Sequence, residues 1–238
     1  MNEKSVLYNE HMVRDVINGT KTQMRRIMKD QPTFAFHPMN MALETDYTAR
    51  WYTPGIVDKD GYLQPAKKQV FGVAGEEEGY SCPFGAVGDQ LYVREAFSRL
   101  ESFNFFNPAV PYEVPDFWYW ADGDPKWGNW TRPQSGAVMP KAASRIRLEI
   151  TGARIERLRD ASENELLDEL GDMLDYDNTV AGRAFSHAEH YAIAGVPVGM
   201  CPEMHGFRAW WDKTNGYGSF DSNPWVWVIN FKRVEAPE

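Results

Sequence analysis

Residues 144–158 read Ser144-Arg145-Ile146-Arg147-Leu148-Glu149-Ile150-Thr151-Gly152-Ala153-Arg154-Ile155-Glu156-Arg157-Leu158. Ile146, Leu148 and Ile150 alternate with Arg147, Glu149 and Thr151, and Ile155 resumes after Gly152. A period of two over this length predicts a strand with one face on a core and one face charged. The period then changes. Ser162 is followed three residues later by Glu165, the pattern of a capping box, which predicts a helix running through Leu166, Leu167 and Leu170 to Gly171.

Working outward, residues 5–8 predict a short strand, and Met12, Val13, Val16 and Ile17 predict a helix over residues 11–18 that Gly19 stops. Residues 20–26 then fall on a turn or a strand opening. Gly88-Asp89 predicts a turn before a strand at 90–97, and Phe117 to Trp120 reads as an aromatic strand. Helices are expected near 182–194 and 202–215, and a closing strand at 225–234. Two stretches, about 30–84 and 104–139, are broken by Pro and Gly and carry no long helical period. They read as loop-rich insertions, with residues 62–71 of the first as a hairpin arm. Without repeated crossover helices in the middle of the chain, the order predicts an α+β protein with a mainly antiparallel sheet, in a single domain of residues 1–238.

Length and composition agree with a chain that buries its own core: 238 residues, 43% apolar, 25% charged. The net charge of −9 excludes a uniformly basic nucleic-acid sleeve, so any phosphate contact must be local. No apolar run approaches the roughly 18 residues of a membrane-spanning helix. The first residues carry no hydrophobic signal core, and Cys82 and Cys201 make no disulfide framework, so a cytoplasmic protein is expected.

Cations cluster twice, as Lys21, Arg25, Arg26 and Lys29, and as Lys141, Arg145, Arg147, Arg154, Arg157 and Arg159. Such patches can contact phosphate, and Trp118, Trp120, Trp127 and Trp130 can stack on unpaired bases. Charged strand exteriors and a tryptophan-rich core account for the same residues. The spacings Cys201-x-x-x-His205 and His187-x-x-His190 do not assemble the four ligands of a structural zinc site, so neither metal nor cofactor is expected. Trp210-Trp211 and Trp225-Val226-Trp227 read mainly as packing residues.

The run Gly19-Thr20-Lys21-Thr22-Gln23-Met24-Arg25-Arg26, with Gly88-Asp89-Gln90-Leu91-Tyr92-Val93-Arg94-Glu95, resembles the ASCH domain family of the PUA-like superfamily. Cys82-Pro83-Phe84-Gly85, Met139 through Arg145, and Gly216 through Val228 extend the likeness to the ASCH-like proteins of bacteriophages and prophages. The resemblance implies a PUA-like, mostly antiparallel β-barrel with flanking helices, a cleft for RNA, DNA or a modified nucleoside, and a bacterial host cytoplasm. It places Lys21, Arg25, Arg26, Arg94 and Glu169 on that cleft, with Glu95 and Arg145 in the matching segments. One ASCH branch is an amidohydrolase of N(4)-acetylcytidine that uses a Lys, a Thr and a Glu. Those positions fall on Lys21, Met24 and Glu169.

A thioether at position 24 cannot be a nucleophile. Thr22 lies two residues earlier, about 6–7 Å away if the segment is extended. A catalytic version therefore has Glu169 activating water and Lys21 holding the developing oxyanion. The alternatives are a non-catalytic phage accessory protein binding RNA, DNA or a host protein, and a ribonuclease.

Overall fold

The computed structural model describes residues 3–234. In chain order the elements are β1 (Glu3–Leu7), α1 (Glu10–Asn18), β2 (Gln23–Ile27), β3 (Arg50–Tyr52), β4 (Gly55–Val57), β5 (Leu63–Pro65), β6 (Val70–Ala74), β7 (Gly79–Ser81), β8 (Gln90–Arg94) and β9 (Phe97–Ser102). There follow β10 (Phe117–Tyr119), β11 (Asn129–Trp130), β12 (Arg147–Arg157), α2 (Glu163–Leu167), α3 (Val180–Ile193), α4 (Pro202–Asn215) and β13 (Trp225–Val234).

This is a mixed α+β architecture. Its main sheet has the order β1-β8-β12-β13-β2, with β1 and β8 parallel and the other pairs antiparallel. A bulge between Ile150 and Gly152 shifts the phase of β12 by one residue. Leu148 and Ile150 before it, and Ala153 and Ile155 after it, are consequently all buried. In β13 the residues from Trp225 to Ile229 are buried without alternation, so this strand is covered on both faces. The edge strands β1 and β2 approach each other through side chains: Tyr8, just past β1, donates its hydroxyl to Met24 Sδ at 3.4 Å. The Arg26 guanidinium lies 5.7 Å from the Tyr8 ring centroid.

Local chemistry explains the ends of α1. The Asn9 side chain accepts the Met12 N–H at 2.9 Å, and Gly19 adopts φ 78°, a left-handed conformation that a side chain disfavours. The capping box of Ser162 and Glu165 forms as expected. The helix it starts is shorter than expected, ending at Leu167. Glu169 and Leu170 donate to the carbonyls three residues back, at 3.1 and 2.8 Å. Gly171 then turns the chain at φ 56° into a 3₁₀ segment. The apolar period continues through Leu170, but the backbone tightens beneath it.

The first insertion is stitched into the fold rather than looped off it. The Ala49 N–H donates to the Ala153 carbonyl at 2.8 Å and the Ile155 N–H to the Tyr47 carbonyl at 3.1 Å, extending the sheet along β12 beyond the reach of β8. Phe36, Ala49 and Val73 join the main core. The expected hairpin arm at 62–71 divides: β5 pairs with β4, and β6 pairs with β3 and β7. The second insertion supplies β10 and β11, which flank β9, a strand that precedes the insertion, in a small sheet β10-β9-β11 beside a separate core of Phe97, Met139 and Ala143. Among the described residues no helix is long and apolar enough to cross a membrane.

Candidate functional site

The turn after α1 drives Lys21 inward. Thr20 and Lys21 donate their backbone N–H groups to the Asp15 carbonyl at 2.9 and 3.2 Å, which folds the chain back against α1. From the opposite side, the tightened turn after α2 brings in Glu169. Lys21 Nζ lies 2.9 Å from Glu169 Oε2 and 3.4 Å from the Asp168 carbonyl. The two side chains are 2% and 1% exposed, so the pair is cut off from solvent.

Arg25 extends this pair into a cluster. Its Nε donates to Glu156 Oε1 at 2.9 Å, its Nη1 to the Glu165 carbonyl at 3.1 Å, and the same Nη1 is 3.7 Å from Glu169 Oε1. Arg154 closes the group, with Nε 3.0 Å from Glu156 Oε2 and Nη2 3.4 Å from Glu165 Oε1. Three cations therefore face three carboxylates. The Ser162 backbone N–H, together with Arg25 and Arg154, holds the Glu165 carboxyl below its ordinary range. Asp15 sits at the margin, where burial and the Asp172 charge push its carboxyl up and Lys21 opposes them.

Beside the cluster is a cavity of about 490 Å³ lined by Tyr8, Arg25, Arg26, Trp210, Trp211 and Thr214, among others. Burial pushes the Tyr8 phenol up, so it remains a neutral donor to Met24. Several buried polar atoms here have no hydrogen-bond partner: Arg25 Nη2, Glu169 Oε1 and Trp211 Nε1. Arg25 Nη2 does lie 3.4 Å from Glu165 Oε1, but as an ion-pair contact without hydrogen-bond geometry.

The residues expected from the sequence divide into groups. Lys21, Arg25 and Glu169 come together, and Arg26 lines the adjoining cavity. Thr22 is exposed, its carbonyl accepting the Phe231 N–H, whereas Met24 is fully buried as the acceptor for Tyr8. Glu95 and Arg145 engage each other instead, at 2.9 and 3.0 Å. Arg145 also grips Asp122 and lies 4.1 Å from the Tyr119 ring centroid. Burial pushes the Glu95 carboxyl up while Arg145 opposes it. This second cluster joins the main sheet to the second insertion, with no ion pair to the first. Arg94 donates to the Ala137 carbonyl at 2.9 Å.

Most of the cationic run over residues 141–159 is engaged within the fold, and Arg159 is exposed, 5.9 Å from the Phe220 ring centroid. Lys141 and Arg147 pair with Glu3, Arg154 pairs with Glu156 and Glu165, and Arg157 lies 4.8 Å from the Trp225 ring centroid. Sequence reading missed Glu156 and Glu165 as site residues, because one alternates as a strand exterior and the other is already accounted for as a cap. It also took Trp210 and Trp211 together; the structure separates them, with Trp211 in the core and Trp210 half-buried on the cavity wall. Among the described residues no group of three or more His, Cys, Asp or Glu is placed to hold a metal ion. Comparison with protein-family models, with curated proteins and with solved structures finds no match for this chain.

Proposed function

We propose that this chain is an ASCH/PUA-like protein that recognises a nucleic-acid base or modified nucleoside in the cavity beside Lys21, Arg25 and Glu169. The observation that carries this reading is the buried Lys21–Glu169 contact at 2.9 Å, linked through Arg25 to a cavity of about 490 Å³ that Arg25 lines. The approach of the two sheet edges across Tyr8, Met24 and Arg26 supports the barrel-like part of the reading. A bacterial cytoplasm belongs to the same proposal.

A second reading, hydrolysis of an N(4)-acylated cytidine, is favoured by the same pair. Once the closed Lys21–Glu169 contact opened to admit substrate and water, Lys21 Nζ would hold the acyl oxygen while Glu169 takes a proton from water. Water would then bond to the acyl carbon, the C–N bond would break, and Glu169 would return the proton to the departing amine. The non-catalytic accessory protein shares the cavity but not the chemistry, and a ribonuclease has no support in the residues described.

Incubation of the native chain with N(4)-acetylcytidine between pH 6 and 9, at micromolar protein, separates these readings. Binding without product supports recognition alone. Release of cytidine and acetate establishes hydrolysis. Failure to bind nucleoside, RNA or DNA at any of these pH values would sink the proposal and leave a protein partner.

A further inference from the structure

We infer that the cavity takes a single unpaired nucleobase, stacked on Trp210, with hydrogen-bond acceptors turned toward Trp211 Nε1 and Arg25 Nη2. This rests on the recognition reading above and adds the state of the ligand and the residues that select it.

The first observation is the pair of orphaned donors. Trp211 and Arg25 are each about 1% exposed and both line the cavity; Trp211 Nε1 and the Arg25 Nη2 amino group have no hydrogen-bond partner, Nη2 having only an ion-pair contact with Glu165 Oε1 at 3.4 Å. Buried donors in folded proteins are ordinarily satisfied, and leaving one bare is costly. Two of them on one cavity wall match the carbonyl oxygens and ring nitrogens of a base edge.

The second observation is the platform. Trp210 packs one side toward Phe207 and Trp211, at centroid distances of 5.7 and 6.1 Å, and is itself half-buried on the cavity wall. A ring braced from behind loses little conformational freedom when a second ring settles on it.

The third is the charge count. Lys21, Arg25 and Arg154 are matched by Glu156, Glu165 and Glu169, so the cluster, which meets the cavity at Arg25, has no spare cation for a phosphate. Arg26, with no carboxylate partner among the described residues, is the cation left for one. A cavity of about 490 Å³ admits one base and excludes a paired duplex. The neutral base therefore goes in and its phosphate stays at the rim beside Arg26.

Isothermal titration of the four common ribonucleosides and their 5′-monophosphates tests the proposal, using the full chain and its Trp210→Ala, Trp210→Phe and Trp211→Phe variants. The wild type is expected to bind at least one nucleoside. Trp210→Ala should weaken it by about tenfold, the loss of one stacked base, and Trp210→Phe should restore most of that. Trp211→Phe, which keeps the ring and removes the N–H, should weaken binding on the order of three- to tenfold. Thermal unfolding of each variant checks that it is folded, and the Phe rescue separates stacking from general damage. Nucleoside binding by the wild type that Trp210→Ala leaves unchanged overturns this inference while the recognition reading stands. No binding of any probe by the wild type overturns both.

Discussion

Removing either partner of the Lys21–Glu169 pair should destabilise the whole protein, and unequally. At 2.9 Å and an effective dielectric near 20, the attraction is about 6 kcal/mol, offset by the desolvation of both ions. Losing one partner leaves a buried charge, which typically costs about 3–5 kcal/mol. Lys21→Met belongs at the lower end, because Arg25 Nη1 remains 3.7 Å from Glu169. Glu169→Gln belongs at the upper end: Lys21 loses its charged partner at 2.9 Å, keeping the Asp168 carbonyl at 3.4 Å as a neutral acceptor, and the balanced cluster is left with an excess cation. For a chain of this size, that is a loss of roughly 6–20 °C in melting temperature. Urea unfolding followed by tryptophan fluorescence measures it, and the double variant Lys21→Met/Glu169→Gln completes a thermodynamic cycle. The double variant should cost less than the sum of the single ones by at least about 2 kcal/mol. Single variants that each cost under about 1 kcal/mol and simply add would refute the buried pair.

Gly171→Ala should cost at least about 2 kcal/mol, measured by the same unfolding, because φ is 56° and an added Cβ would fall 1.7 Å from Asp15 Oδ2. Asp15→Asn should stabilise the protein at neutral pH more than in acid. Burial and Asp172 raise the Asp15 carboxyl, so the stability linked to its protonated form is lost as pH rises through the raised value. Melting curves at pH 7 and about pH 4 that show no difference between wild type and variant would contradict this. Met24→Thr should cost about 2–3 kcal/mol, since it hollows a fully buried site and takes the sulfur acceptor from Tyr8. A folded Met24→Thr chain that deacetylates N(4)-acetylcytidine, where the wild type does not, would locate the missing chemistry at position 24. Arg26→Ala should reduce the salt dependence of nucleotide binding by about one phosphate contact. Arg25→Ala is the poorer probe, because it dismantles the buried cluster as well.

What could be read in the sequence follows the range of the forces involved. The end of α1 and the bounds of α4 and β13 were legible because Gly19 caps locally and because Pro202 and the run from Trp225 carry their own signals; the Asn9 cap, which starts α1 at Glu10, was not read. The capping box at Ser162 was equally local. The end of α2 was not, since the 3₁₀ tightening after Leu167 is set by Gly171 against Asp15, a contact between distant parts of the chain. The docking of Tyr47 and Ala49 along β12 was hidden for the same reason. At the site, Lys21 and Glu169 were reached through the motif and its resemblance. The partners that neutralise Arg25 were not, because a charged residue on an alternating strand looks the same whether it faces water or a buried guanidinium.

That last ambiguity changes what the net charge of −9 means. On sequence alone, the cationic clusters look like exceptions within an acidic chain, kept for phosphate. In the structure most of them are answered by carboxylates: Arg25 and Arg154 by Glu156 and Glu165, Arg145 by Glu95 and Asp122, Lys141 and Arg147 by Glu3. A surface of this kind gains little from counterion release. If the cavity binds a nucleotide, its selectivity must come from fit and hydrogen bonding at Arg25, Trp210 and Trp211, and affinity should respond far more to the base than to the number of phosphates attached. An affinity that rose steeply from nucleoside to triphosphate would contradict the charge balance itself, whatever the ligand proved to be.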